Sequence, residues 1–139
     1  MFLVRLVYVS TFSKDFQSQD IEAILNVSRE NNLKKYVTGM LCFNRKYFLQ
    51  CIEGTRQSVN ETYNRIVTDP RHHNLIILDY KEIAVREFSD WSMGYIPESK
   101  LTNDININFG GTSIFSPYDM SGESAFMMML ALKSTVPAL

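Results

Sequence analysis

Apolar and polar positions first alternate over residues 5–10 (RLVYVS), a run rich in Val and Tyr that predicts a β-strand, with a polar loop over residues 11–17 behind it. A helical period follows. Ser18 stands as N-cap, Asp20 and Glu22 fall in the first turn where the helix dipole favours anions, and Ile21, Ile24, Leu25, Ser28 and Asn32 recur at helical spacing. This helix should end near Asn32, and its inward stripe turns from apolar to polar along its length. Residues 37–43 and 47–53 are strand-like runs around Asn44-Arg45-Lys46, which predicts a hairpin, and Glu53-Gly54 reads as turn chemistry at its end. Thr55 or Ser58 caps a second helix whose stripe of Val59, Tyr63, Ile66 and Val67 stops near Asp69-Pro70. Strands are expected at 75–83 and about 92–96. The order β-α-β-β-α-β-β is the split βαβ pattern: an α+β, ferredoxin-like sheet with an added strand and two helices on one face.

Past Pro97 the composition changes. Residues 102–111 are rich in Asn and Gly and read as a loop. Ser121 then caps a short C-terminal helical tail reaching Lys133, with Glu123 in its first turn and an apolar body of Phe126, Met127, Met128, Met129, Leu130 and Leu132. A helix apolar nearly all round must pack on the domain, on another chain, or on both.

The chain length of 139 residues fits one domain, and its 45% apolar and 21% charged residues fit a soluble globular core. Fourteen Lys and Arg against 15 Asp and Glu leave a net charge of −1, so no basic excess attracts nucleic-acid phosphates. The longest apolar run, 125–132, is far below the roughly 20 residues of a membrane span, and residues 1–10 lack a signal-peptide pattern, so cytoplasm is the expected compartment. The hairpin register sets Cys51 opposite Gly39. Cys42 is then three residues out of register, roughly 10 Å away, and both cysteines are expected as reduced thiols.

Gln50 is the most informative anomaly, an amide between Phe48 and Ile52 on the same strand face. If that face meets the helices, Gln50 lies near Tyr8 on the first strand and Asn32 at the end of the first helix. Such a row suits a polar network that fixes strand register, and it equally suits recognition of a flat heterocycle bearing donors and acceptors. Arg65 and Asp69 make either a surface ion pair or, with Arg71, His72 and His73, a holder for a phosphate or ribityl chain. No metal is expected, since the adjacent histidines have no further Cys or His with ligand spacing. Trp91 and Met93, read alone, are core residues. Enzyme signatures such as GxSxG, a P-loop, GxGxxG or HExxH are absent, so no enzyme is expected. An RNA-recognition module shares the strand order, but Tyr8 and Tyr47 fall on opposite faces and the charge balance opposes it.

The stretches LVRLVYVS, SRENN, VTGMLCF, YFLQCIEG, NETYNRIVTDPRHHN and FSDWSM together resemble the BLUF domain, the flavin-binding blue-light sensor, in its short stand-alone PixD-type form. The likeness covers about residues 2–97 and divides the chain into a sensor at 1–97 and a linker with a short helical extension at 98–139. It implies a blue-light photoreceptor holding FAD non-covalently between the two helices, with FMN or riboflavin able to substitute. Carried over by position, Ser28, Asn31, Asn32 and Gln50 would meet the flavin ring, and Arg65, Asp69, Arg71 and His72 its ribityl and phosphate end. Tyr8 and Gln50 would be the photoactive pair, with Ser10 beside them and with Met93 and Trp91 passing the change on from the last strand. Light would move an electron and a proton from Tyr8 to the flavin, and rearrangement of Gln50 would give a reversible, slightly red-shifted signalling state. The resemblance also implies a downstream effector protein and a homo-oligomer, with no nucleic-acid or membrane partner. The alternative is a flavin-binding or structural interaction module without a signalling photocycle.

Overall fold

A computed structural model describes residues 2–13 and 18–136. The expected loop residues 14–17 and the capping side chain of Ser18 lie outside the described part. The elements are β1 (Leu3–Phe12), α1 (Ser18–Lys35), β2 (Thr38–Phe43), β3 (Tyr47–Thr55), α2 (Arg56–Val67), β4 (His72–Ile83), β5 (Gly94–Ile96), α3 (Asn103–Gly110) and α4 (Gly122–Lys133). The sheet runs β4-β1-β3-β2-β5. Only the β2–β5 pair is parallel; the other neighbours are antiparallel, which is the ferredoxin-like arrangement with one strand added at its edge.

Both sheet faces are covered, and this explains why β1 and β3 are apolar with little alternation. On one face Val4, Leu6, Tyr8, Leu41, Phe48 and Ile52 pack with Ile21 and Leu25 of α1 and Val59 of α2. On the other, Val7, Val9, Met40, Leu49 and Cys51 pack with Phe126, Met128, Met129 and Leu132 of α4. The methionine-rich helix therefore covers the sheet of its own chain, while Met127 stays exposed. Its start is seated tightly: a Cβ at Gly122 would lie 2.4 Å from Asp79 Cβ.

α1 runs one turn past its expected end. The Val37 N–H bonds to the Asn32 carbonyl at 2.9 Å, and Tyr36 takes a φ of 51°, together forming a Schellman-type stop. Arg86 steadies this turn by donating to the Tyr36 carbonyl, with its guanidinium 3.9 Å from the Tyr36 ring centroid. The hairpin register differs by one residue from that expected: Met40 faces Cys51 and Cys42 faces Leu49. The cysteines are diagonal neighbours, buried and unbridged. Residues 103–110 are a helix rather than the expected loop. Thr102 Oγ1 accepts from Ile105 N, Gly111 closes the helix at φ 80°, and the buried Asn106 amide bonds the carbonyls of Leu101 and Ser113. The asparagines thus act as local anchors where composition suggested a turn.

Glu53 is not the turn residue expected of it. Its fully buried carboxylate meets Arg5 Nη2 at 3.1 Å and accepts from the backbone of Glu87 at 3.0 Å and of Phe88 at 2.9 Å. The Arg5 guanidinium lies 3.7 Å from the Phe126 ring centroid. One ion pair thereby joins β1, β3, the segment before β5, and α4. Replacing Glu53 by Ala leaves Arg5 and two N–H groups buried without their acceptor, and is expected to lower the unfolding free energy by about 3–5 kcal/mol in urea denaturation.

Candidate functional site

The hydrogen-bond register sets Tyr8 directly across from Gln50, on the face that meets α1 and α2. The Tyr8 hydroxyl donates to Gln50 Oε1 at 2.5 Å, and Gln50 Nε2 donates to Met93 Sδ at 3.3 Å. Both residues are buried. The Tyr8 ring sits among Tyr63, Phe48 and His72, with centroids 5.5, 6.1 and 6.5 Å away. Burial, reinforced by Tyr63 and Asp69, pushes the Tyr8 phenol well above the ordinary tyrosine range, so it remains a proton donor at neutral pH.

Behind this pair lies a cavity of about 190 Å³ between α1 and α2. Phe12, Ile24, Val27, Phe48 and Ile66 supply apolar walls. Ser28, Asn31, Asn32, Gln50 and Tyr8 supply donors and acceptors on the inner side, and Thr62, Arg65, Asp69, Arg71 and His72 line the remainder. Every residue expected from the sequence to meet a flavin lines this one cavity.

The ion pair expected between Arg65 and Asp69 is replaced by another. Asp69 instead takes Arg71 in a forked contact, Nε to Oδ1 at 3.0 Å and Nη2 to Oδ2 at 2.8 Å, and also accepts from Arg71 N. Burial works to raise the Asp69 carboxyl, but the Arg71 hydrogen bonds, with the Arg71 and His72 charges, hold it below the usual range. Arg65 is left to Thr62, with Nη2 3.4 Å from Oγ1. The turn at Asp69-Pro70 brings Arg71 back onto the aspartate two residues away, a geometry that helical spacing does not anticipate. His72 bridges Ser10 Oγ and the Ile66 carbonyl, both at 2.8 Å, so its Nε2 carries a proton. Ser10 is therefore placed behind His72 instead of on the cavity wall. His73 is exposed, and no metal-binding cluster occurs among the described residues.

Trp91 and Met93 precede β5 instead of lying on it, and they face opposite cores. Met93 is in the helix-side core on Gln50, whereas Trp91 is in the far core with α4. A Cβ at Gly94 would sit 1.6 Å from Trp91 Cε3, so only glycine admits the indole there. Asn32 Nδ2 donates to the Ser92 carbonyl at 2.7 Å and so connects the cavity wall to the same segment. Sequence reasoning missed Thr62, and it put Tyr63 on the inward stripe of α2 without foreseeing its contact with Tyr8. Helical spacing offered a signal for Thr62, three residues before Arg65 on the inward side of α2.

A ferredoxin-like sheet with a buried phenol–amide pair beside a mainly apolar cavity that carries a few convergent polar groups has the form of a binding site for a flat ligand with polar edges. The family model for BLUF, sensors of blue light using FAD, matches residues 3–94, and the chain belongs to that family. It is 33% identical over 91 residues to the blue light- and temperature-regulated antirepressor BluF of Escherichia coli K12, covering 66% of this chain and 23% of that protein. The chain spans at most about a quarter of the length of the first curated relatives it matches. Among solved structures, the dark state of the BLUF protein BlrB matches with TM-score 0.78 and 31% identity over 94% of this chain and 96% of that one. The ground state of BlsA matches with TM-score 0.86 and 26% identity over 99% and 91%.

The raised Tyr8 pKa has a testable sign. The folded state keeps the phenol protonated where an unfolded tyrosine ionises, so this contribution is complete below about pH 10 and is lost as pH rises towards the folded value. Urea denaturation across the alkaline range should show stability falling less steeply for Tyr8→Phe than for the parent protein.

Proposed function

We propose that this chain is a blue-light photoreceptor that binds FAD in the cavity between α1 and α2 and signals by rearranging the Gln50 amide. The observation that carries the reading is the relay from the Tyr8 hydroxyl to Gln50 Oε1 at 2.5 Å and from Gln50 Nε2 to Met93 Sδ at 3.3 Å, on the wall of that cavity. The residues fit a flavin: aliphatic walls suit a flat ring, Asn31, Asn32 and Gln50 offer both donors and acceptors, and Arg65 and Arg71 supply positive charge for a phosphate. Ser28, Asp69 and His72 complete the binding set. When bound, a flavin absorbs blue light and becomes an acceptor for an electron and a proton.

Tyr8 would be the donor of both, because its phenol is neutral and already donates a hydrogen bond to Gln50. Gln50 relays that proton. In the signalling state the phenol would be intact and the Gln50 amide turned over, with Nε2 towards Tyr8 and Oε1 towards Met93. The Nε2 bond to the thioether is then lost, since two acceptors face each other. Met93 and Trp91 share a segment whose other side packs against α4, so the change reaches the far face of the sheet. Residues 1–97 act as the sensor and 98–139 as the extension through which output passes. The output is contact with an effector protein by a homo-oligomer, in the cytoplasm, without substrate turnover. Two buried thiols suit that reducing compartment. Among the described residues no helix is long and apolar enough to cross a membrane.

The purified protein should be yellow, should release FAD on denaturation, and should show flavin bands that shift reversibly to the red after blue light. A colourless protein, or bands that do not shift, would overturn the photoreceptor reading. Tyr8→Phe and Gln50→Leu are each expected to keep the flavin and lose the reversible shift, and a normal photocycle in either removes the proposed relay. Asn32→Ala should bind flavin more weakly, by about tenfold for one lost buried hydrogen bond, in an equilibrium titration.

A further inference from the structure

Arg29 belongs to α1 but does not line the cavity. Its Nε donates to the Met93 carbonyl at 3.1 Å, and Asn32, three residues further along the same helix, donates to the Ser92 carbonyl at 2.7 Å. The Gly39 N–H holds the Trp91 carbonyl at 2.9 Å. Three successive carbonyls are thus fastened to α1 and β2. The one held by Arg29 belongs to Met93, the residue whose thioether receives the Gln50 amide.

The grip is incomplete. Arg29 Nη2 is buried without a hydrogen-bond partner, the single side-chain nitrogen or oxygen in that condition among the described residues. A guanidinium presents its donors in a rigid fork, and an unmatched buried donor weighs against the arrangement that strands it. The contact therefore fixes the Met93 carbonyl through one donor of the guanidinium while a second donor of the same group stays buried beside it, so the strength of the hold depends on how the whole fork is placed.

We propose that Arg29 is a positioning residue that selects the arrangement with Met93 against Gln50 and sets how readily Met93 leaves it. The consequence in light rests on the photoreceptor reading above; the selection itself does not. Arg29→Met keeps much of the stem and removes every donor, whereas Arg29→Lys returns one charged donor without the fork.

The test uses the full chain with its flavin as purified and 13C-labelled methionine methyls, the Met93 resonance being assigned from Met93→Leu. In the dark, Arg29→Met should displace the Met93 resonance and shift the emission of Trp91, the chain's one tryptophan, while Arg29→Lys keeps both near the parent values. After blue light, thermal recovery should change by about tenfold in Arg29→Met, the scale of one lost charged hydrogen bond, and return towards the parent rate in Arg29→Lys. Flavin content should stay unchanged in both. An Arg29→Met protein with parental Met93 resonance and recovery overturns the proposal, as does equal loss in Met and Lys variants with Met93 undisplaced. If the parent protein has no photocycle, the photoreceptor reading fails and the dark Met93 resonance still decides the positioning role. Should Arg29→Met not fold, Arg29→Leu, which also lacks any donor, carries the same comparison.

Discussion

A carboxylate with no exposure to solvent, Glu53, organises the far side of this molecule. Such a charge is tolerated in a low-dielectric interior only when it is paired and its lone pairs are occupied. Arg5 meets it across the β1–β3 pair, and the backbone N–H groups of Glu87 and Phe88 complete its hydrogen bonds. The segment leading to Trp91 and Met93 is consequently held at its start by the same strand that carries Gln50. Phe126 lies over the Arg5 guanidinium, so the last helix also depends on that pair being intact.

The sheet acts as a partition with different chemistry on its two sides. Along β3, Phe48, Gln50 and Ile52 belong to the helix side, while Leu49, Cys51 and Glu53 belong to the side under α4. Residues 91–93 connect the two, with the indole in one core and the thioether in the other. Since a packed interior is close to crystalline density, a side chain that crosses from one core to the other must be matched by movement on both. A change at Gln50 has a short physical route to α4 through this segment, with no need for a long chain of contacts.

The cavity wall combines rigid and adjustable parts. Tyr8 and Gln50 sit on paired central strands, whose backbone is fixed by hydrogen bonds on both sides. The basic end is built on the turn after α2, where the Asp69 to Arg71 fork sets the loop geometry and His72 is pinned between Ser10 and Ile66. Among the described residues Arg65 has no ion-pair partner in contact, and its Nη2 reaches only Thr62. It offers a charged group on the cavity lining, with Glu61 four residues before it as an acidic neighbour on the same helix.

Local pattern was sufficient for the order of the five strands and first two helices, for the two-helix face, and for putting Tyr8, Gln50 and Asn32 on one cavity, because strand alternation and helical spacing fix which side each residue takes once the pairing is known. It was insufficient wherever a residue's partner lies far along the chain. Glu53 resembled a turn residue because Arg5 is 48 positions away, and the 103–110 helix resembled a loop because its asparagine anchors and its packing on α4 are tertiary. Arg65 and Asp69 have the spacing of an ion pair, yet the backbone turn at Pro70 delivers Arg71 in a better geometry. The separation of Met93 from Trp91 was likewise decided by packing, since two residues on an irregular segment carry no period, and only the cores on either side determine which enters which.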